Sequence, residues 1–264
     1  MRFAVQENIV PGRSFREKVE NLREFGYEGV ELRGDELPSR VQEIRSALRE
    51  TGVTATCICG GFKFGLLFPS AQERKQSREE IKRLLFTAAE VGAMSGVIVV
   101  PIFGPPQLPD LSPWKTATEL EEELLVEQLV ELSESAGQEG TKVILEPLNR
   151  YETHLLNRLE QAAHIYHRVN SPNLTMLADF FHMQIEEVNI ATAMEAFASL
   201  IGYVHLADSN RLLPGLGHTD FSSGFLALAE AGYTGWMSLE CGVQGDPSKG
   251  LCESLRYMQA SLPR

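Results

Sequence analysis

The chain has 264 residues, of which 43% are hydrophobic and 23% charged, and its formal net charge is −12 at pH 7. This length suits one large core, so a single domain over residues 1–264 is expected. The excess of acidic residues argues against binding to nucleic acid, because a protein needs a basic face to bind phosphates. The chain has no apolar run of ~18 residues and no signal-peptide pattern, which predicts a cytoplasmic protein without membrane contact.

Apolar runs alternate with amphipathic stretches from the first residues to the last. In 15–25, apolar residues recur at spacings of three and four, which predicts a helix, and the pattern returns after Val41 and after Ile81. Eight alternations predict parallel βαβ units and therefore an α/β fold, a single (β/α)8 TIM barrel of eight strands and eight helices. The predicted strands begin near Phe3, Gly29, Val53, Gly96, Val143, Leu174, Gly202 and Trp236.

Serines and glycines mark the ends of the predicted helices. In 25–30, 91–96 and 231–236, a glycine follows the helical pattern and precedes the next strand. A glycine in that place predicts a left-handed helix cap and a tight turn. The serines that we place at helix starts are Ser14, Ser39 and Ser70.

The connection after the fourth predicted strand is unusual, because residues 101–114 hold five prolines and little helical pattern. Long loops of this kind in barrels are often functional. The segment predicts either a lid over the barrel or a rigid surface excursion. Its Phe103 and Trp114, together with Cys59, are weaker candidates for lining a substrate pocket, because aromatic residues on a barrel rim are more often packing residues.

Each of the last four predicted strands ends on a residue that can bind a divalent metal. The C-terminal strand ends of a barrel share one face, which carries the active site, and a buried carboxylate must be paired or coordinate a metal. Three carboxylates and one imidazole suit Mn²⁺ best, with Mg²⁺ or Co²⁺ acceptable and Zn²⁺ a poorer fit. We therefore predict one divalent metal ion. Its four ligands are Glu146, Asp179, His205 and Glu240.

Four segments of the second half, residues 145–152, 178–183, 205–220 and 238–240, resemble the sugar epimerase and isomerase branch of the xylose-isomerase-like barrels. The resemblance implies the same four metal ligands and a small-molecule sugar as substrate. It also implies a homodimer or homotetramer. The residues that it implies for substrate binding are Glu152, His182 and Arg211.

The implied reaction is proton transfer next to a carbonyl, through a metal-bound enediolate. Epimerisation needs a base on one face of the reacting carbon and an acid on the other. Glu146 and Glu240 are the predicted catalytic pair, each with one oxygen for the metal and one for the proton. His182 lies three residues after Asp179, so a turn after the strand is predicted to place it on a loop above the barrel.

Other members of the same barrel superfamily remain as alternatives. Hydroxypyruvate isomerase would share the four ligands, and a sugar-phosphate epimerase is possible, although no phosphate-binding glycine loop or basic cluster is present. An endonuclease IV-like nuclease is the weakest alternative. Its three-zinc site needs histidines on earlier strands, whereas the first histidine here is His154.

Overall fold

The structure is a computed structural model that describes residues 1–63 and 65–263. Within these residues, eight parallel strands form a closed barrel in chain order, and the last strand pairs with the first. The strands are β1 Arg2–Gln6, β2 Gly29–Arg33, β3 Thr54–Cys59, β4 Gly96–Val99, β5 Val143–Leu145, β6 Leu174–Asp179, β7 Ile201–Leu206 and β8 Trp236–Leu239. The predicted (β/α)8 barrel is confirmed.

Helices cover the outside of the barrel and bury the outer faces of the strands, as parallel sheets require. Within the described residues they are α1 Phe15–Phe25, α2 Leu37–Thr51, α3 Ala71–Val91, α4 Ala117–Gln138, α5 Leu159–Val169, α6 Phe180–Glu186, α7 Ile190–Phe197, α8 Phe221–Glu230 and α9 Pro247–Ser261. None of these helices is long and apolar enough to cross a membrane.

The prediction of eight helices was wrong, because two helices, α6 and α7, connect β6 to β7. The extra helix begins directly at the end of β6. The Asp179 carboxylate accepts the backbone N–H groups of Phe181 and His182, and so caps the first turn of α6. A strand-end carboxylate thus also starts a helix.

Most of the predicted helix ends are confirmed. Ser14 and Ser70 accept backbone N–H groups of α1 and α3, and Gly26 and Gly92 cap the same helices in the left-handed conformation. Ser39 was wrong as a helix start. The helix α2 begins two residues earlier at Leu37, because its second residue, Pro38, is favoured in a first turn.

Candidate functional site

Four side chains converge at the C-terminal end of the barrel. Glu146 follows β5 directly, Asp179 ends β6, His205 lies in β7 and Glu240 follows β8. Strand pairing sets Asp179 beside His205. One ligand atom from each of the four residues lies within 4.8 Å of the others, so their strand-end positions produce the cluster that the sequence predicts.

The imidazole of His205 lies at the centre of this cluster. Its Nδ1 is 3.2 Å from Glu146 Oε1, 3.4 Å from Glu240 Oε2 and 3.7 Å from Asp179 Oδ2. Three carboxylates this close repel one another strongly where water is scarce, and one imidazole balances only part of their charge. This donor set fits a divalent cation, although the role of each residue as a ligand stays a prediction.

The titratable groups of the cluster have perturbed pKa values. Burial raises the pKa of Glu146 to about 6, against the opposing effect of His205. Burial also acts to raise the pKa of Glu240, but the nearby imidazole of His205 and a hydrogen bond from Gln6 lower it. Burial disfavours a charged imidazole, yet the carboxylates of Glu31 and Glu240 raise the pKa of His205 well above its usual value. The two predicted catalytic glutamates therefore differ in electrostatic environment.

The three residues predicted to bind substrate lie beside the cluster. Arg211 Nη1 donates to Glu152 Oε1 at 2.5 Å, and Arg211 Nη2 is 3.9 Å from Glu240 Oε2. His182 Nδ1 lies 4.0 Å from Glu152 Oε1. His182 is in the first turn of α6 rather than on the predicted loop, because Asp179 caps that helix at once. The three side chains thus form one polar wall, and their contact with substrate stays a prediction.

Arg211 is held in place by its loop. Its φ is +58°, in the left-handed region, and its carbonyl accepts the N–H of Gly242 at 2.7 Å. The buried Asp208 carboxylate organises the same loop by accepting backbone N–H groups, three of them from Ser209, Gly215 and Thr219. Burial acts to raise the pKa of Asp208, but these donors lower it. A residue that the sequence analysis did not identify therefore fixes the loop that carries Arg211.

A cavity of about 300 Å³ opens above the cluster. Glu152, His182 and Arg211 form one side of it, and the loops after β2 and β3 form the other. That second side contains the Arg33–Asp35 ion pair, with the two groups 3.4 Å apart. Of the weaker candidates, Cys59 and Phe103 line the cavity and Trp114 does not, because its side chain is 73% exposed on the 101–114 loop.

Two buried polar residues beside the cluster escaped the sequence analysis. Gln6 Nε2 donates to Glu31 Oε1 at 2.8 Å and to Glu240 Oε1 at 3.1 Å. Glu31 Oε2 lies 3.0 Å from His205 Nε2. A signal was present in the sequence, since Glu31 stands inside the otherwise apolar segment 29–32, and a carboxylate buried there needs a partner.

Comparisons with known proteins agree with this fold. A family profile described as a xylose isomerase-like TIM barrel matches residues 19–261. The chain is 31% identical over 263 residues to a 3-dehydro-D-guloside 4-epimerase from Escherichia coli K12, covering 98% of this chain and 99% of that protein. It is 31% identical over 227 residues to a ketose 3-epimerase from Arthrobacter globiformis, covering 83% and 75%.

A solved structure of a 3-keto-D-glucoside 4-epimerase from E. coli superposes with a TM-score of 0.90 at 30% identity, covering 98% of this chain and 99% of that one. The match thus extends over the whole barrel, including the strands that carry the four clustered residues. The chain therefore belongs to the xylose isomerase-like TIM barrel family and is an isomerase-class enzyme similar to the sugar epimerases of that family.

Proposed function

We propose that this protein is a metal-dependent epimerase that inverts the hydroxyl-bearing carbon next to the keto group of a sugar. The observation that carries the proposal is the cluster itself: Glu146 and Glu240 follow strands three apart in the barrel and both line one cavity, with ligand oxygens within 4.8 Å of each other. Inversion needs two proton carriers on opposite faces of one carbon. These two glutamates supply such a pair.

Glu146, Asp179, His205 and Glu240 are the residues that we propose to hold a single divalent ion, with Mn²⁺ as the best fit to the oxygen-rich set. When bound, the ion supplies positive charge that stabilises negative charge on the substrate oxygens. The low-dielectric surroundings of the buried residues strengthen that effect. The second oxygen of each glutamate then remains available for a proton.

In the proposed reaction, one glutamate removes the proton from the carbon next to the keto group, which leaves an enediolate. The other glutamate returns a proton to the opposite face, and the configuration inverts. His182 and Arg211 donate hydrogen bonds to substrate oxygens, and Glu152 orients Arg211 through their 2.5 Å contact. This geometry holds the reacting carbon between the two carboxylates.

The relatives support this choice of chemistry. A 4-epimerase acting on a 3-dehydro sugar and a 3-epimerase acting on a ketose both invert a carbon beside a carbonyl. We propose a 3-keto glycoside as the first substrate class, since the 4-epimerase relative matches along the whole chain. Arg33 and Asp35, on the second side of the cavity, also provide polar groups that could recognise a substituent beyond the reacting sugar. Free ketoses are the second class.

The proposed reaction is expected to bring solvent deuterium into the product at the inverted carbon, because a carboxylate base exchanges its proton readily with solvent. The measurement is NMR of products made in deuterated water by Mn²⁺-loaded protein. The compounds offered are methyl 3-keto glycosides, free ketohexoses, ketose phosphates and hydroxypyruvate. Turnover of hydroxypyruvate alone, with no sugar inverted, would replace the proposal by the hydroxypyruvate isomerase alternative.

The variant Arg211→Ala is expected to raise KM by at least about tenfold with a smaller change in kcat. A contact to a part of the sugar whose charge stays constant contributes equally to substrate and transition-state binding, so its loss appears in KM. Steady-state kinetics on the substrate found in the screen measure both constants. Arg150→Ala is the matched control, because Arg150 pairs with Glu186 outside the cavity. A loss confined to kcat would contradict the proposed role of Arg211.

We also propose that the protein works in the cytoplasm as a homodimer or homotetramer. The proposed assembly extends the resemblance to the epimerase branch. Light scattering on the purified protein at several concentrations tests the assembly, and a monomer at every concentration would contradict it.

A further inference from the structure

We propose that Glu31 and Gln6 are positioning residues for the metal centre: Glu31 sets the orientation of His205, and Gln6 holds the carboxylate of Glu240. The inference rests on the metal centre of the proposed function and extends it to two residues outside the four ligands. Both residues are buried, and they lie on β2 and β1, in the half of the barrel that contributes none of those ligands.

The first step of the inference is the contact between Glu31 and His205. An imidazole has two nitrogens, and the hydrogen bond made by one decides which of them is free to bind a metal. Here Nε2 lies 3.0 Å from Glu31 Oε2, whereas Nδ1 faces Glu146 and Glu240. A carboxylate that accepts a hydrogen bond from Nε2–H favours the tautomer whose Nδ1 lone pair is directed at the cluster.

Glu31 is well suited to this role because it is itself held firmly. Its Oε1 accepts from Gln6 at 2.8 Å, and its Oε2 also accepts the hydroxyl of Tyr203 at 3.1 Å. The Tyr203 hydroxyl is in turn 2.7 Å from Thr56 Oγ1. These contacts also argue against a second metal held by Glu31, Cys59 and Glu240, although one ligand atom of each lies within 4.8 Å of the others. Three donors already occupy the Glu31 carboxylate.

The second step is the contact between Gln6 and Glu240. The Gln6 amide nitrogen has two hydrogens, and each points to a carboxylate, one of Glu31 and one of Glu240. The reverse orientation would set the amide oxygen against two carboxylates, so the direction of the amide is determined. Gln6 binds Oε1 of Glu240, while Oε2 is the oxygen 3.4 Å from His205 Nδ1. Gln6 thus gives the two oxygens of this catalytic carboxylate different partners.

The test begins with Glu31→Gln, which keeps the shape of the side chain and removes its charge. Its amide nitrogen would place N–H donors either where Gln6 donates or where His205 and Tyr203 donate. We expect the affinity for Mn²⁺ to fall by about 10–100-fold, the usual effect of removing such a supporting group. Calorimetric titration of the metal-free protein with Mn²⁺ alone measures this affinity.

The matched control is Glu121→Gln, since Glu121 is also fully buried and contacts a histidine, His154, away from the cluster. Its Mn²⁺ affinity should equal that of the wild type.

A spectroscopic measurement separates positioning from general loss of structure. With diamagnetic Zn²⁺ as the bound ion, imidazole ¹⁵N spectra of the wild type should show His205 protonated at Nε2 and metal-bound at Nδ1. In Glu31→Gln this Nε2 proton should exchange faster with solvent, and its signal should shift. Unchanged Mn²⁺ affinity together with an unchanged His205 spectrum would overturn the role of Glu31. A wild type that binds two ions, reduced to one in the variant, would also overturn it, in favour of Glu31 as a ligand.

Gln6→Met tests the other half and also serves if Glu31→Gln does not fold. It keeps the length of the side chain and removes both hydrogen bonds, so we expect kcat to fall at least about tenfold with Mn²⁺ still bound. An unchanged kcat in the metal-loaded variant would overturn the role of Gln6. Gln6→Met also tests the role of Glu31, because Gln6 holds the Glu31 carboxylate. We expect Gln6→Met to weaken Mn²⁺ binding less than Glu31→Gln does. If Glu31→Gln does not fold, Gln6→Met should still perturb the His205 spectrum.

Metal titration needs no substrate. A protein that binds Mn²⁺ through this network but inverts no sugar therefore contradicts only the proposed function.

Discussion

Glu240→Gln and Glu146→Gln are each expected to lose at least about a hundredfold in turnover while the protein stays folded. Glutamine keeps the shape of the side chain and one possible ligand oxygen, but it cannot carry the proton, and general acid–base catalysis is typically worth about 10²–10⁴-fold. The measurement is kcat on the substrate found in the screen, with metal content determined for each variant, because a lost ion would produce a similar effect.

The two variants are also expected to differ from a control that alters a buried glutamate elsewhere. Glu121→Gln changes a fully buried carboxylate that contacts His154 and not the cluster, so its turnover per bound metal should stay within a few-fold of the wild type. Full activity of both Glu146→Gln and Glu240→Gln, with no solvent label in the product, would rule out the two-glutamate reaction. A loss in only one of them would contradict a reaction that needs both glutamates, because each turnover requires one to remove a proton and the other to return one.

Removal of divalent ions by a chelator is expected to abolish turnover, and Mn²⁺ is expected to restore it. Without a cation, Glu146, Asp179 and Glu240 share a buried space with one imidazole, and the substrate loses the positive charge that the ion would place beside its oxygens. Activity and elemental analysis are measured on the same samples before chelation, after it and after adding back Mn²⁺, Mg²⁺, Co²⁺ or Zn²⁺.

Two observations decide between the outcomes of that experiment. Circular dichroism of the chelated protein should retain the helical signal of the barrel, so that lost turnover reflects the absent ion and not unfolding. Full turnover after verified removal of all divalent ions would refute the metal requirement. Stronger activity with Zn²⁺ than with Mn²⁺ would refute the choice of a hard cation while leaving the ligand set intact.

The barrel and the cluster could be predicted because both depend on local patterns. Apolar runs alternating with amphipathic helices specify the barrel, and a polar residue at a strand end is then directed to its C-terminal face whatever the rest of the chain does. Glu146, Asp179, His205 and Glu240 follow from this rule alone. The same rule does not reveal which oxygen or nitrogen of each residue faces its neighbours, since that depends on side chains from distant strands.

The parts that escaped prediction depend on non-local contacts or on local competition. The contacts of Gln6 and Glu31 follow only from the closed barrel, in which β1 pairs with β8 and the Glu31 side chain on β2 reaches His205 on β7. The sequence predicts a loop at His182, but Asp179 caps α6 directly after β6, so His182 lies in the first turn of that helix. Asp208 looked like an ordinary loop residue, because its buried hydrogen bonds arise only when residues 209–219 fold back on it.

The hydrogen bond between Gln6 and Glu240 joins residues 234 positions apart, across the seam where the last strand meets the first. The four proposed ligands lie on or directly after β5–β8, whereas Gln6 and Glu31, which contact two of them, lie on β1 and β2, so the supported centre is complete only when that seam closes. A barrel still open at the seam would hold the ligands without these two supporting residues, so a bound cation would favour the closed ring. The availability of the cation in the surroundings would then govern the lifetime of the folded chain as well as its catalysis, and starvation for the ion would expose the protein to proteolysis.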